Sequence, residues 1–91
     1  MKKEKWAVID IGSNSIRLVI YEKSTSGSYK EIENIKTVAR LRQYLSKENV
    51  LNNKGINLLL DILHGFRGII EFHQVSNVYC VATATIRQSK N

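Results

Sequence analysis

Trp6-Ala7-Val8-Ile9-Asp10-Ile11-Gly12-Ser13-Asn14-Ser15-Ile16-Arg17-Leu18-Val19-Ile20-Tyr21 reads as two apolar runs around a polar reversal. The runs, 6–11 and 16–21, are rich in β-branched and aromatic residues, which favours strands. Gly12 can take a positive φ, as tight strand-to-strand reversals often need. The reversal also exposes backbone N–H groups and the hydroxyls of Ser13 and Ser15, a small nest of donors aimed at one point. Asp10 lies one residue from the end of an apolar strand, where a buried carboxylate must be paired or bound to something. Asp-x-Gly-Ser-x-Ser therefore reads as a phosphate clip of Gly12, Ser13, Asn14 and Ser15, with Asp10 beside it for a hydrated divalent cation. The competing reading is an ordinary hairpin with polar turn residues.

Outward from this stretch, the chain has 91 residues, enough for one small domain with a single core. Its hydrophobic fraction of 43% and charged fraction of 24% are those of a globular protein. Met1-Lys2-Lys3-Glu4-Lys5 is basic, but Asp10 interrupts the apolar run that follows, so this is no signal peptide. No run reaches the roughly 18 apolar residues of a membrane helix. Cys80 is the only cysteine, which rules out a disulfide within the chain and fits a reducing cytoplasm. Its apolar neighbours make it a buried small hydrophobe rather than a nucleophile. A formal net charge of +6 favours an acidic partner such as polyphosphate, a nucleotide or nucleic acid.

Residues 22–28 form a polar turn, and 29–40 alternate loosely, predicting a third strand that completes an antiparallel meander. Residues 41–51 read as an irregular connection or a short helix. Asn52 or Asn53 is the expected N-cap of a long helix. Ile56, Leu59, Leu60, Leu63, Phe66 and Ile70 recur at helical spacing as one apolar stripe facing the sheet, widened by Leu58, Ile62 and Ile69. Gly65 and Gly68, each costing about 1 kcal/mol relative to Ala, are expected to permit close helix–sheet packing. His64 and His73 are read as structural. Residues 78–82 are apolar throughout, as suits a parallel strand covered on both faces, and Thr83 is the expected N-cap of a second helix.

The residues from Asp10 to Val19 resemble the first phosphate loop of the superfamily of actin, heat-shock chaperones and sugar kinases. More narrowly, Ser13-Asn14-Ser15-Ile16-Arg17 resembles the exopolyphosphatase/guanosine pentaphosphate phosphatase (Ppx/GppA) family. Val81-Ala82-Thr83-Ala84-Thr85-Ile86-Arg87-Gln88-Ser89-Lys90-Asn91 is similar to that family's Ala-Thr-x-Ala-x-Arg-x-x-x-Asn segment. Two motifs in the right order are far more specific than either alone. The resemblance implies an α/β fold, a partial ribonuclease-H-like (actin-like ATPase) domain. In it a three-stranded antiparallel meander and a parallel fourth strand carry one long packed helix. It also implies that residues 1–91 are the N-terminal fragment of the first such domain.

The activity so implied is hydrolysis of phosphoanhydrides in inorganic polyphosphate or in guanosine penta- or tetraphosphate. Magnesium, or another divalent cation, would bridge phosphate oxygens. Arg17, two residues past Ser15 on the same strand face, could reach the same anion. Arg87, in the first turn of the second helix, matches the family's arginine, and a helix N-terminus also favours phosphate. A surface salt bridge is the alternative for both. The family's general base, a glutamate, would fall after Asn91, as would its second phosphate loop. Asp61 and Glu71 stand at no matching position, so the fragment alone is expected to be inactive. The family's glycine after Arg40-Leu41 is replaced here by Arg42.

Two rival classes remain at this stage. One is an ATP-binding kinase or chaperone of the same superfamily, disfavoured by the Ser-Asn-Ser-Ile-Arg wording and by Thr85-Ile86-Arg87. The other is a non-enzymatic polyanion-binding module, and without a stacking aromatic cluster nucleic acid is an unlikely partner. The unpaired edge of 78–82 predicts a homo-oligomer.

Overall fold

In the computed structural model, which describes residues 4–48 and 50–82, the two opening runs are β1 (Lys5–Ile11) and β2 (Ser15–Lys23). They pair antiparallel from Lys5↔Glu22 to Ile11↔Ile16. β3 (Tyr29–Val38) adds antiparallel to β2, with a bulge between Ile20 and Tyr21. β4 (Asn77–Ala82) lies parallel to β1, in the strand order β3-β2-β1-β4. This is the expected meander with a parallel fourth strand. The crossover from β3 to β4 is made by a 3₁₀ turn (Leu41–Tyr44) and α1 (Asn53–Phe72).

Alternation sorts each strand's side chains by face. Ala7, Ile9 and Ile11 from β1 and Ile16, Leu18 and Ile20 from β2 point to one face, and none is more than 8% exposed. α1 covers that face, with Phe66 at its centre and Leu58, Leu59, Ile62, Leu63, Ile69 and Ile70 half-buried around it. The Asn52 side chain caps α1, its Oδ1 accepting the Gly55 N–H at 2.8 Å. At the far end, the Lys5 ammonium donates to the His73 carbonyl at 2.8 Å, and the His73 ring meets Glu33 Oε2 at 3.0 Å. His73 is thus structural, as expected.

Several expectations are corrected. Leu60 is 57% exposed, because a single sheet covers only the middle of the wide stripe. β4 is the outer strand of the described sheet, as the expected unpaired edge implies, but Val78, Tyr79 and Val81 are about half-exposed rather than covered on both faces. For the same reason Cys80 is exposed rather than buried, though partial desolvation still pushes its thiol pKa up. Gly65 and Gly68 are exposed, and a Cβ at either would meet nothing within 4 Å, so neither serves close packing. Gly55 does. A Cβ there would lie 2.6 Å from Tyr44 Cβ and 2.8 Å from Leu51 Cδ1. Positive φ is found at Gly27, Arg40 and Gln74, and among the described residues Gly12 is not one of them. The second helix expected after Thr83 lies outside the described residues.

The glycines of α1 give a direct contrast. Gly65→Ala and Gly68→Ala should each stabilise the chain by up to about 1 kcal/mol, since alanine is the better helix former and has room. Gly55→Ala carries the same propensity gain but a backbone-side collision, and should instead destabilise by about 1–3 kcal/mol. Urea denaturation of the three variants checks this. A Gly55→Ala variant as stable as Gly65→Ala would show that the 3₁₀ turn simply moves away.

Candidate phosphate and cation site

The reversal between β1 and β2 is closed by a hydrogen bond from the Gly12 N–H to the Ser15 carbonyl at 3.0 Å. Its tip is braced from one side by the segment that follows β3. The Asn14 carbonyl accepts from Ala39 N–H at 3.0 Å and from Arg40 N–H at 2.8 Å, and the Ser13 carbonyl accepts from Arg42 N–H at 3.1 Å. A trans peptide sets each N–H opposite the preceding carbonyl. With the carbonyls of Ser13 and Asn14 turned toward the brace, the N–H groups of Asn14 and Ser15 point away from it. The N–H groups of Ser13 and Asn14 take no hydrogen bond among the described residues. Unused donors on a fixed turn are what an anion nest requires.

Asp10 sits on the sheet face opposite α1, directly across from Arg17 on β2. Its carboxylate is exposed and has no hydrogen-bond or ion-pair partner among the described residues. No three His, Cys, Asp or Glu side chains converge among those residues, so the donor set here is one carboxylate beside a turn with unused N–H donors. That suits a hard cation that keeps most of its waters and takes its remaining ligands from phosphate, as Mg²⁺ does. Ser15, Arg17 and Asp10 share this face, with Lys36 of β3 paired to Arg17. Arg17 Nη1 donates to Asn34 Oδ1 at 2.6 Å, and Asn34 Nδ2 donates to Glu31 Oε1 at 2.6 Å, so the guanidinium is held along β3. Asp10 and the turn lie at one end of one face; Arg17 shares that face in the backbone, but its guanidinium is drawn to Asn34, opposite Val19 and away from the turn, and would have to leave that amide to meet an anion at the reversal. Arg87 lies outside the described residues.

Sequence reasoning missed Arg40 and Arg42. With Ser13, Asn14 and Gln43 they line a cavity of about 340 Å³ on the braced side of the turn. Leu41 between them is fully buried, and that charged–apolar–charged triplet was the available signal. Reading 29–40 as strand and 41–51 as an irregular connection or a short helix divided the triplet, and Arg42 does reach the turn, through its backbone N–H.

The model of the Ppx/GppA phosphatase family matches residues 19–91. The guanosine-5'-triphosphate,3'-diphosphate pyrophosphatase of Pseudoalteromonas translucida is 34% identical over 90 residues, which are 99% of this chain and 18% of that protein. The crystal structure of the Aquifex aeolicus member of the Ppx/GppA family superposes with a TM-score of 0.88 at 29% identity, over 99% of this chain and 29% of that one. An exopolyphosphatase from Cytophaga hutchinsonii gives a TM-score of 0.88 at 25% identity, over 97% of this chain and 28% of its own. The chain thus spans less than a third of the length of each of these relatives. With the family model covering most of its residues and the fold shared from β1 to β4, this chain belongs to the Ppx/GppA phosphatase family.

Proposed function

We propose that this chain supplies the first phosphate loop and a cation-binding carboxylate to a phosphoanhydride hydrolase acting on inorganic polyphosphate or guanosine pentaphosphate. The observation that carries the reading is the turn itself. The carbonyls of Ser13 and Asn14 are tied to the segment 39–42, their N–H groups take no hydrogen bond among the described residues, and Asp10 on the adjoining strand has no partner among them. A divalent cation bound there would neutralise phosphate charge in the transition state. The chain's own part is positioning. The N–H groups of Ser13 and Asn14 and the hydroxyls of Ser13 and Ser15 hold phosphate oxygens, and Arg17 adds a charge-assisted contact. Arg87 is assigned the same role by its match to the family motif. No residue of the chain is assigned as general base, and the 91 residues alone are expected to be inactive as an N-terminal portion of the enzyme. Cytoplasmic location fits the single cysteine; no described helix is long and apolar enough to cross a membrane.

Turnover of tripolyphosphate by the full-length protein tests the loop. Gly12→Val should abolish it, because a branched side chain at the reversal obstructs the approach of phosphate to the backbone. Asp10→Asn should raise the half-saturating Mg²⁺ concentration about tenfold or more, since it removes the one ionised ligand. Wild-type behaviour in both would remove the turn from the active site.

The arginines are tested separately. Arg17→Ala or Arg87→Ala should raise KM for polyphosphate about tenfold or more, each charge-assisted hydrogen bond being worth roughly 1.5–3 kcal/mol. An unchanged KM with a lowered Tm would assign them to structural ion pairs instead.

The edge of β4 carries a further expectation. Val78, Tyr79 and Val81 are about half-exposed beside a strand edge that is unpaired among the described residues, and such an edge recruits other strands. The 91-residue polypeptide should therefore form a homo-oligomer, and light scattering at micromolar concentration reads this directly. A clean monomer with a cooperative melt would show that the edge is protected.

A further inference from the structure

The cavity between the turn tip and the 3₁₀ turn is lined by Ser13, Asn14, Arg40, Arg42 and Gln43, each of which carries a polar or cationic side chain. Among the described residues no carboxylate lines it. Arg17 and Arg67 each hold a side-chain partner, whereas Arg40 and Arg42 have none among the described residues. Two arginines without partners, separated by one residue in the chain, are charges that an anion would complement.

The backbone is arranged to keep them there. Arg40 has φ 50° and ψ 50°, a left-handed conformation that costs a side-chain-bearing residue about 1–2 kcal/mol. It is held by its N–H bond to Asn14 and by its carbonyl, which accepts the Gln43 N–H at 3.0 Å. Leu41, fully buried, pins the triplet to the core. Because the same backbone bonds fix Ser13 and Asn14, cavity and turn are one rigid unit with donors on two sides. On one side are the free N–H groups of the nest, on the other a pair of arginine forks, whose geometry matches phosphate.

We propose that Arg40 and Arg42 form a second anion subsite that takes a further phosphate group of the same condensed phosphate chain. The turn tip then lies between two phosphates of one ligand. Orthophosphate fills only the nest; a linear chain fills both. The subsite therefore selects for chain length. This inference rests on the reading of the turn as a phosphate loop.

The test is calorimetric titration of the full-length protein with orthophosphate, linear tripolyphosphate and guanosine pentaphosphate. The variant is Arg40→Gly/Arg42→Ala, in which glycine accepts the left-handed backbone, so the change relieves strain rather than adding it. Lys23→Ala/Lys30→Ala, two exposed lysines at the end of the sheet opposite the reversal, matches it in net charge. The arginine variant should bind tripolyphosphate about tenfold or more weakly, with orthophosphate affinity unchanged and the lysine variant close to wild type. The same loss for guanosine pentaphosphate extends the subsite to nucleotide-borne chains. A loss confined to guanosine pentaphosphate takes the arginines off the linear chain and overturns the proposal. An equal loss for orthophosphate merges the arginines into the nest and also overturns it. An arginine variant that binds every ligand as wild type does removes the subsite and leaves the phosphate loop standing. A wild-type protein that binds none of the three overturns the loop, and the subsite with it.

Discussion

The register of β1 against β2 decides both the core and the site. Pairing Ile9 with Leu18 and Ile11 with Ile16 sends the aliphatic side chains to the face that α1 covers. The same register sets Asp10 opposite Arg17 on the other face, one rung from the reversal. A slip of one residue would exchange the faces, burying the carboxylate and the guanidinium under Phe66 and exposing the aliphatic rows. Burial of six apolar side chains is worth far more than any single turn bond, so the hydrophobic pattern fixes where the phosphate loop opens. The reversal needs no left-handed residue of its own. That conformation is taken up by Arg40, in the segment that braces the reversal from outside.

The brace ties the crossover to the chemistry. Three backbone hydrogen bonds join the turn tip to 39–42, and the next turn of chain is packed against α1 through Tyr44, Leu51 and Gly55. The tip is therefore supported by the helix N-terminal end as well as by the sheet. Preorganised donors bind a developing charge without having to reorient first, which is where a rigid turn gains over a mobile one.

How much of this was legible in the sequence follows from which interactions are local. The strands, the helix cap at Asn52 or Asn53 and the β1–β2 reversal rest on period, propensity and short-range hydrogen bonds, and all could be located from residue types. The two-motif resemblance gave the family, which the matched region supports. What failed depended on neighbours distant in sequence. Leu60 fits the helical stripe but lies beyond the sheet's reach, and Gly65 resembles a packing glycine but faces no partner. Gly55 looks like a poor helix residue and is the one that packs, because Tyr44 and Leu51 come back against it. Cys80 and its neighbours are apolar as a central strand would be, yet β4 is the edge of the described sheet. Arg40 and Arg42 were hidden for a simpler reason. Their role depends on a contact with Ser13 and Asn14 that no periodicity reports.

Charge placement adds a last step. The chain carries 14 lysines and arginines against 8 acidic residues, a surplus that by itself says only that polyanions are attracted. Where the acidic side chains go is more informative. Glu4, Glu22, Glu33 and Glu71 engage Lys23, Lys5, His73 and Arg67, all away from the reversal. Exposed pairs of this kind contribute little stability, but they use up carboxylates that could otherwise fold back onto the turn. Around residues 12–15 the balance among the described residues is the reverse, with Arg17 on a neutral amide, Arg40 and Arg42 without partners, and Asp10 as the nearby acid. A single carboxylate among unpaired cations would make a poor salt-bridge network. With a hydrated cation on the acid and phosphate oxygens on the arginines, every one of those charges finds its complement.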